Sequence, residues 1–305
     1  MKTVNFFFLA TFGLFFIGLN AQNVQSNALG TSGGLQAGTT TTGEGYNTFY
    51  GYKAGKLNSS GSANTFIGGE SGLNNTSGGR NTFIGYSSGN GNDTGEGNTY
   101  VGYWGGGERN GSNNTCIGSG AGGESSSGSG NVLIGSYVGW GLSSDNTLMI
   151  DNIENDKPLI WGNFAQDQLK FNAKVGVGYG FGNYPTTSGS INVSNYNLFV
   201  KGGILTEEVR VSLTNTWADY VFKKDYKLPT LQEVEKQIQE KGHLLNVPSA
   251  EEVKNNGIEL GEMSKIQQEK IEELTLYIIE QNKINENQNK VIEQLIKRLT
   301  KLENK

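Results

Sequence analysis

The chain of 305 residues has room for two ordinary domains, yet 46 glycines against 35% hydrophobic residues mean that its apolar side chains must be shared out in small doses. A formal charge of −5 supplies no basic field for nucleic acid or an anionic lipid surface, so neither is expected as a partner. The single cysteine, Cys116, excludes a fold that depends on an intrachain disulfide.

Residues 1–21 read as a secretory signal peptide. Lys2 precedes an apolar run over 6–19 that is short for a bilayer span, and Ala21 stands just before a polar stretch, so cleavage after Ala21 is expected. An uncleaved anchor is the alternative, and either one exports the remainder to the cell surface or the medium. No later stretch is apolar enough to cross a membrane. Residues 22–46 are expected to form a polar N-terminal segment or cap.

Asparagines then recur at Asn47, Asn64, Asn81, Asn98, Asn114, Asn131 and Asn146, with spacings of 17, 17, 17, 16, 17 and 15. A fixed short period marks stacked units in place of one central core. The units open "NTFYG", "NTFIG", "NTFIG", "NTYVG", "NTCIG" and "NVLIG", while the last asparagine opens "NTLMID" and breaks the pattern. β-Branched and aromatic neighbours suit a short strand with both faces buried. Side-chain alternation sends Phe66, Phe83, Tyr100, Cys116 and Leu133 one way, and Ile67, Ile84, Val101, Ile117 and Ile134 the other. The coil interior covers one face, and an identical chain could cover the second.

The rung glycines, such as Gly68 and Gly85, are followed four residues later by another glycine, as at Gly72 and Gly89, mostly after Ala or Ser. This small-residue pair reads as the corner of each coil. Stretches such as "NNTSGGR" and "NGNDTGEG" are expected to form the polar outer turn. The rung asparagine could form a local turn or stack on its copies as a ladder.

This pattern resembles the head repeats of trimeric autotransporter adhesins, whose similar rungs stack into a β-roll with three chains side by side. The likeness covers residues 47–146, with a longer period and a shorter rung in this chain. It implies a homotrimer and an adhesive function directed at a surface glycan or matrix protein.

Other chemistries fit less well. A calcium roll needs an aspartate in every copy, and the few acidic residues here fall at unmatched positions. The threonine column Thr48, Thr65, Thr82, Thr99 and Thr115 raises ice binding, but one threonine per coil beside a bulky apolar residue reads more simply as an ordinary strand residue. His243, the only histidine, follows a helix-ending glycine and suits capping or packing better than a zinc site. No hydrolase, metalloprotease or P-loop spacing occurs, so no catalytic residue, metal or cofactor is assigned.

Residues 147–222 carry short apolar clusters between turns and read as a β-rich connector, with Trp161 packed inside it. Residues 223–257 hold two capping boxes, Thr230 with Glu233 and Ser249 with Glu252. Each follows a proline, and the helices they open are closed by Gly242 and Gly257. From 258 to 305 heptads appear. With Ile271 at a, the a and d positions are Ile271, Leu274, Ile278, Gln281, Asn285, Gln288, Ile292, Leu295, Leu299 and Leu302, a coiled-coil seam with a polar break. The region from 215 onward also resembles the C-terminal part of tail-fibre-like secreted proteins of Bacteroidetes, and in placement the endosialidase-type chaperone that ends many phage fibres. The serine and lysine motif by which that chaperone cuts itself is missing, since Ser212 is the only serine between 202 and 222.

The expected fold class is therefore mainly β with an α-helical C-terminus. A β-solenoid head of 17-residue repeats would lead through a β-rich connector to a C-terminal coiled coil in a homotrimer. An adhesin-like structural protein is the expected function, ahead of a fibre with a chaperone-type assembly domain or an associated glycan hydrolase. Trp104 and Trp140, two and five residues after their rung glycines, are the candidate ligand contacts, with burial against a neighbouring chain as the other reading.

Overall fold

The computed structural model describes residues 24–27, 30–41, 45–107, 110–124, 127–212 and 217–303. The expected signal peptide lies outside them. The chain forms two compact units, the first ending at Lys174 and the second beginning at Val175.

The first unit is a β-solenoid. A hairpin of β1 (Val24–Asn27) and β2 (Gly30–Gly33) opens it antiparallel. Then come the rungs β3 (Thr48–Tyr50), β4 (Thr65–Ile67), β5 (Thr82–Ile84), β6 (Thr99–Val101), β7 (Thr115–Ile117) and β8 (Val132–Ile134), followed by β9 (Thr147–Ile150). Seven successive parallel pairings join β2 to β9, each rung set directly on the one before. Beyond Asn146 the sheet reverses direction through β10 (Ile160–Asn163) and β11 (Gln168–Phe171), both antiparallel. Antiparallel strands thus close the stack at both ends.

The middle residue of each rung forms the core. Phe49, Phe66, Phe83, Tyr100, Cys116 and Leu133 lie in register and are buried. Ring centroids are 4.8 Å apart from Phe66 to Phe83 and from Phe83 to Tyr100, with planes 4° and 5° off parallel. That is the spacing of hydrogen-bonded strands, so equivalent side chains stack without changing rotamer. Ala54, Ala121 and Val138 complete this core from the turns.

The third rung residue is different. Ile67, Ile84 and Ile117 remain 38–41% exposed, and Val101 and Ile134 are half-buried. One chain therefore covers one of the two faces expected to be buried. The first residue of each rung, usually threonine, shares the uncovered face.

The asparagines form a ladder. Asn81 Oδ1 accepts from the Asn98 amide at 2.9 Å and its Nδ2 donates to the Gly95 carbonyl at 2.8 Å. The same pair of bonds recurs from Asn47 to Asn131. A second ladder joins Asn92 to Asn75 and Asn75 to Asn58, all three fully buried. These residues belong to stretches expected to be polar outer turns; they point inward because each satisfies the amide of its copy one coil away. Glycine is required at the corners, as at Gly72, whose φ of 57° and 2.5 Å approach of an added Cβ to the Phe66 ring leave no room for a side chain.

The second unit begins with small β pairs. β12 (Val175–Val177) runs parallel to β15 (Leu198–Val200), and β13 (Thr187–Ser188) pairs with β14 (Ile191–Asn192). Phe199 is buried under Tyr179 and Tyr184. A 3-10 turn over Ala218–Phe222 precedes α1 (Leu231–Lys241), α2 (Ala250–Asn256) and α3 (Leu260–Glu303). Both expected capping boxes form, and Gly242 and Gly257 end their helices.

The 44 residues of α3 span about 66 Å at the usual rise. Its buried side chains are unexpected ones: Glu269, Glu272 and Glu273. Lys270 bridges Glu269 and Glu273 at 2.8 and 2.9 Å, and the hydroxyls of Tyr220 and Tyr226 donate to Glu269 and Glu273 respectively. The seam residues Ile271, Leu274, Ile278, Ile292, Leu295, Leu299 and Leu302 are all more than half exposed. Among the described residues no helix is long and apolar enough to cross a membrane.

Candidate functional site

Each coil places one residue two positions after its rung glycine in the left-handed region. The successive occupants are Lys53, Glu70, Ser87, Trp104, Gly120 and Tyr137, with φ between 52° and 67°. The backbone is held there from the coil before, as when the Trp104 amide donates to the Tyr86 carbonyl at 3.0 Å and the Tyr137 amide to Ser119 at 2.8 Å. A bulky aromatic side chain pays a conformational cost of order 1 kcal/mol or more in this region. At this turn position the chain accepts it twice, at Trp104 and at Tyr137.

Trp140 comes from the second recurrent turn position, one residue after the corner glycine, where other coils carry Lys56, Leu73, Asn90, Gly107 and Gly123. Its ring lies back over the preceding coil, because that coil has no side chain at Gly120 or Gly123. A Cβ at Gly123 would stand 2.5 Å from Trp140 Cζ3, and one at Gly120 would stand 2.7 Å from the Tyr137 ring. Trp140 is thereby brought to 5.7 Å from Trp104 and 5.2 Å from Tyr137, between ring centroids and with tilted planes. Its indole Nε1 donates to Glu124 Oε2 at 3.2 Å, which fixes the ring and sets a carboxylate beside it.

Structure thus joins the two tryptophans singled out from sequence, 36 residues apart, into one partly exposed aromatic shelf. Tyr137, Glu124, Gly120 and Gly123 belong to it and escaped the sequence reading. The signal was present in the turn columns, where two glycines on one coil are flanked by aromatics on the next ones. A second row of rings lies on the same turns one residue earlier: Tyr52, Tyr86 and Tyr103 are exposed, and the last two stack at 5.9 Å.

The remaining sequence candidates lie elsewhere. Asn64, Gly68, Asn81 and Gly85 serve the ladder and the turns, and Phe66 and Phe83 the core. Trp161 sits in β10 with the Lys170 ammonium 4.4 Å from its ring. His243 Nδ1 lies 3.0 Å from the Leu244 carbonyl in the turn after α1. Among the described residues no cluster of His, Cys, Asp and Glu is arranged to hold a metal ion.

No protein-family model matches the chain, and no curated protein or solved structure matches it at a significant level.

Proposed function

We infer that the protein is a fibrous, adhesin-like structural protein, secreted or held at the cell surface. Its repetitive β-head binds a surface glycan or matrix protein, and its C-terminal helix drives assembly into a homotrimer. The observation that carries this reading is the uncovered third-residue column, Tyr50, Ile67, Ile84, Val101, Ile117 and Ile134, on a regular parallel sheet. Full burial of such a side chain is worth about 1.5–3 kcal/mol, so covering what is still exposed contributes of order 1 kcal/mol per rung, repeated along the head. The a and d residues of α3 present a second uncovered apolar stripe. The likeness of the rungs to trimeric autotransporter heads supports three chains.

The test is the mass of residues 22–305 by size exclusion with light scattering, beside a truncation ending at Glu259. A trimer that dissociates or aggregates on truncation supports the reading. A stable monomer sinks it.

An assembly role for the C-terminal region is favoured by the local nature of α3, whose hydrogen bonds form fast, whereas the rungs pair residues about 17 apart. In that case the truncated chain fails to fold its head, and a soluble β-rich head without α3 refutes the assembly role.

A further inference from the structure

We propose that the shelf formed by Trp104, Trp140 and Tyr137 is a binding site for an extended, neutral chain of β-linked pyranosides. This deepens the adhesin reading and rests on it for the ligand being a surface polymer.

The chemistry of the shelf selects a sugar. Aromatic faces attract the polarised C–H groups on the flat side of a pyranose, and a carboxylate beside them accepts its hydroxyl hydrogens. Exposed Glu124 gives one oxygen to the indole of Trp140, and a carboxylate has a second oxygen able to accept. Half-buried Ser119 and Ser136 flank the rings on the same turns. A protein ligand would be expected to insert anchors into a pocket, whereas this surface is a shallow run of tilted rings. A nucleic acid could stack on the rings, but its phosphates would meet Glu124 in a chain of net charge −5, with no arginine or lysine among the shelf residues.

Trp140 lies next to both other rings, 5.7 Å from Trp104 and 5.2 Å from Tyr137 between centroids. An extended, equatorially linked glycan advances by a similar distance per sugar, so successive sugars can meet neighbouring rings. Gly120 and Gly123 are what make the row continuous, because a side chain at either one would displace the ring above it. The positive φ of Trp104 and Tyr137 adds a reason to look for function here, since strained aromatic positions on a surface turn bring no core burial in return.

The experiment uses the whole secreted chain with cellohexaose, xylohexaose and chitohexaose as probes, read by calorimetry and by tryptophan fluorescence. The expected result is binding of at least one probe, weakened about tenfold or more by Trp140→Ala and by Trp104→Ala, and less by Glu124→Gln. Trp161→Ala, on β10, should leave affinity unchanged. Trp104→Phe and Trp140→Phe keep a flat ring and retain part of the affinity, which separates loss of stacking from loss of fold. Binding to none of the probes, or binding unchanged in the double alanine variant, overturns the assignment. So does a change in assembly mass on Trp104→Ala or Trp140→Ala, which would mean that a second copy covers the shelf. Light scattering on the same samples keeps the two readings apart: a trimer without sugar binding removes the shelf and leaves the fibre, while a sugar-binding monomer removes the fibre.

Discussion

Replacing Asn81 by alanine isolates the contribution of the buried ladder. Its side chain makes two bonds: Oδ1 accepts from the Asn98 amide at 2.9 Å, and Nδ2 donates to the Gly95 carbonyl at 2.8 Å. These losses are unequal. Gly95 keeps a second donor, Asn92 Nδ2 at 3.1 Å, so its carbonyl stays paired. The Asn98 amide loses its partner inside a coil where Asn98 is fully buried. An orphaned buried donor costs about 1–3 kcal/mol and the second hydrogen bond about 1 kcal/mol, giving about 2–4 kcal/mol in all. Because a solenoid is stabilised by nearest-neighbour contacts, the cost should fall on the coils at Asn81 and Asn98 before the rest. Amide hydrogen exchange reads this directly: exchange at Asn98 should accelerate roughly 30- to 700-fold in Asn81→Ala. Asn90→Ala serves as the control, since Asn90 makes its side-chain bond at the surface, with Asn74, and should change stability by less than about 1 kcal/mol. Unchanged protection at Asn98 in Asn81→Ala would refute the view that the ladder holds adjacent coils together.

Other outcomes follow from the same geometry. Phe83→Ala removes the central ring of the stack and should cost about 3–5 kcal/mol by chemical denaturation, whereas Ile84→Ala, on the uncovered face, should cost clearly less in any state where that face stays open. Gly72→Ala combines a φ of 57° with a clash against the Phe66 ring and should destabilise by about 1–3 kcal/mol, measured as a shift in denaturation midpoint. In the second unit, burial alone would raise the Glu269 carboxyl, but hydrogen bonds from Lys270 and Tyr220 outweigh it and hold it below its ordinary 4.5. A depressed carboxyl stabilises the fold above its unfolded pKa, so melting followed at α3 should show stability lost as pH falls from about 4.5 through the lower folded value. Tyr220 is pushed up to about 12, first by its hydrogen bond to Glu269, so the same contact should also weaken as pH rises from 10 through about 12; Tyr220→Phe should reduce the alkaline loss, and the part that remains belongs to Tyr226, raised further by burial and its bond to Glu273.

The sequence by itself determined the solenoid, its period and the choice of core residue. Strand alternation separates Phe66 from Ile67, and stacking places equal residues in contact, so one coil predicts the next. Local chemistry also wrote the two capping boxes and the glycine stops, because those bonds join residues three or four apart. What lay beyond the sequence was every feature that depends on how one coil or helix faces another. Asn58, Asn75 and Asn92 look like turn residues until the stack turns them inward to satisfy one another. The buried face of α3 proved to be acidic, because Lys270 pairs with Glu269 and Glu273, and Tyr220 and Tyr226 donate hydrogen bonds to them, glutamates that a hydrophobic pattern assigns to solvent. The aromatic shelf needed tertiary structure most of all. Trp104 and Trp140 meet only because two glycines on the coil between them leave a floor on which an indole can lie, and an absent side chain has no periodic signature of its own.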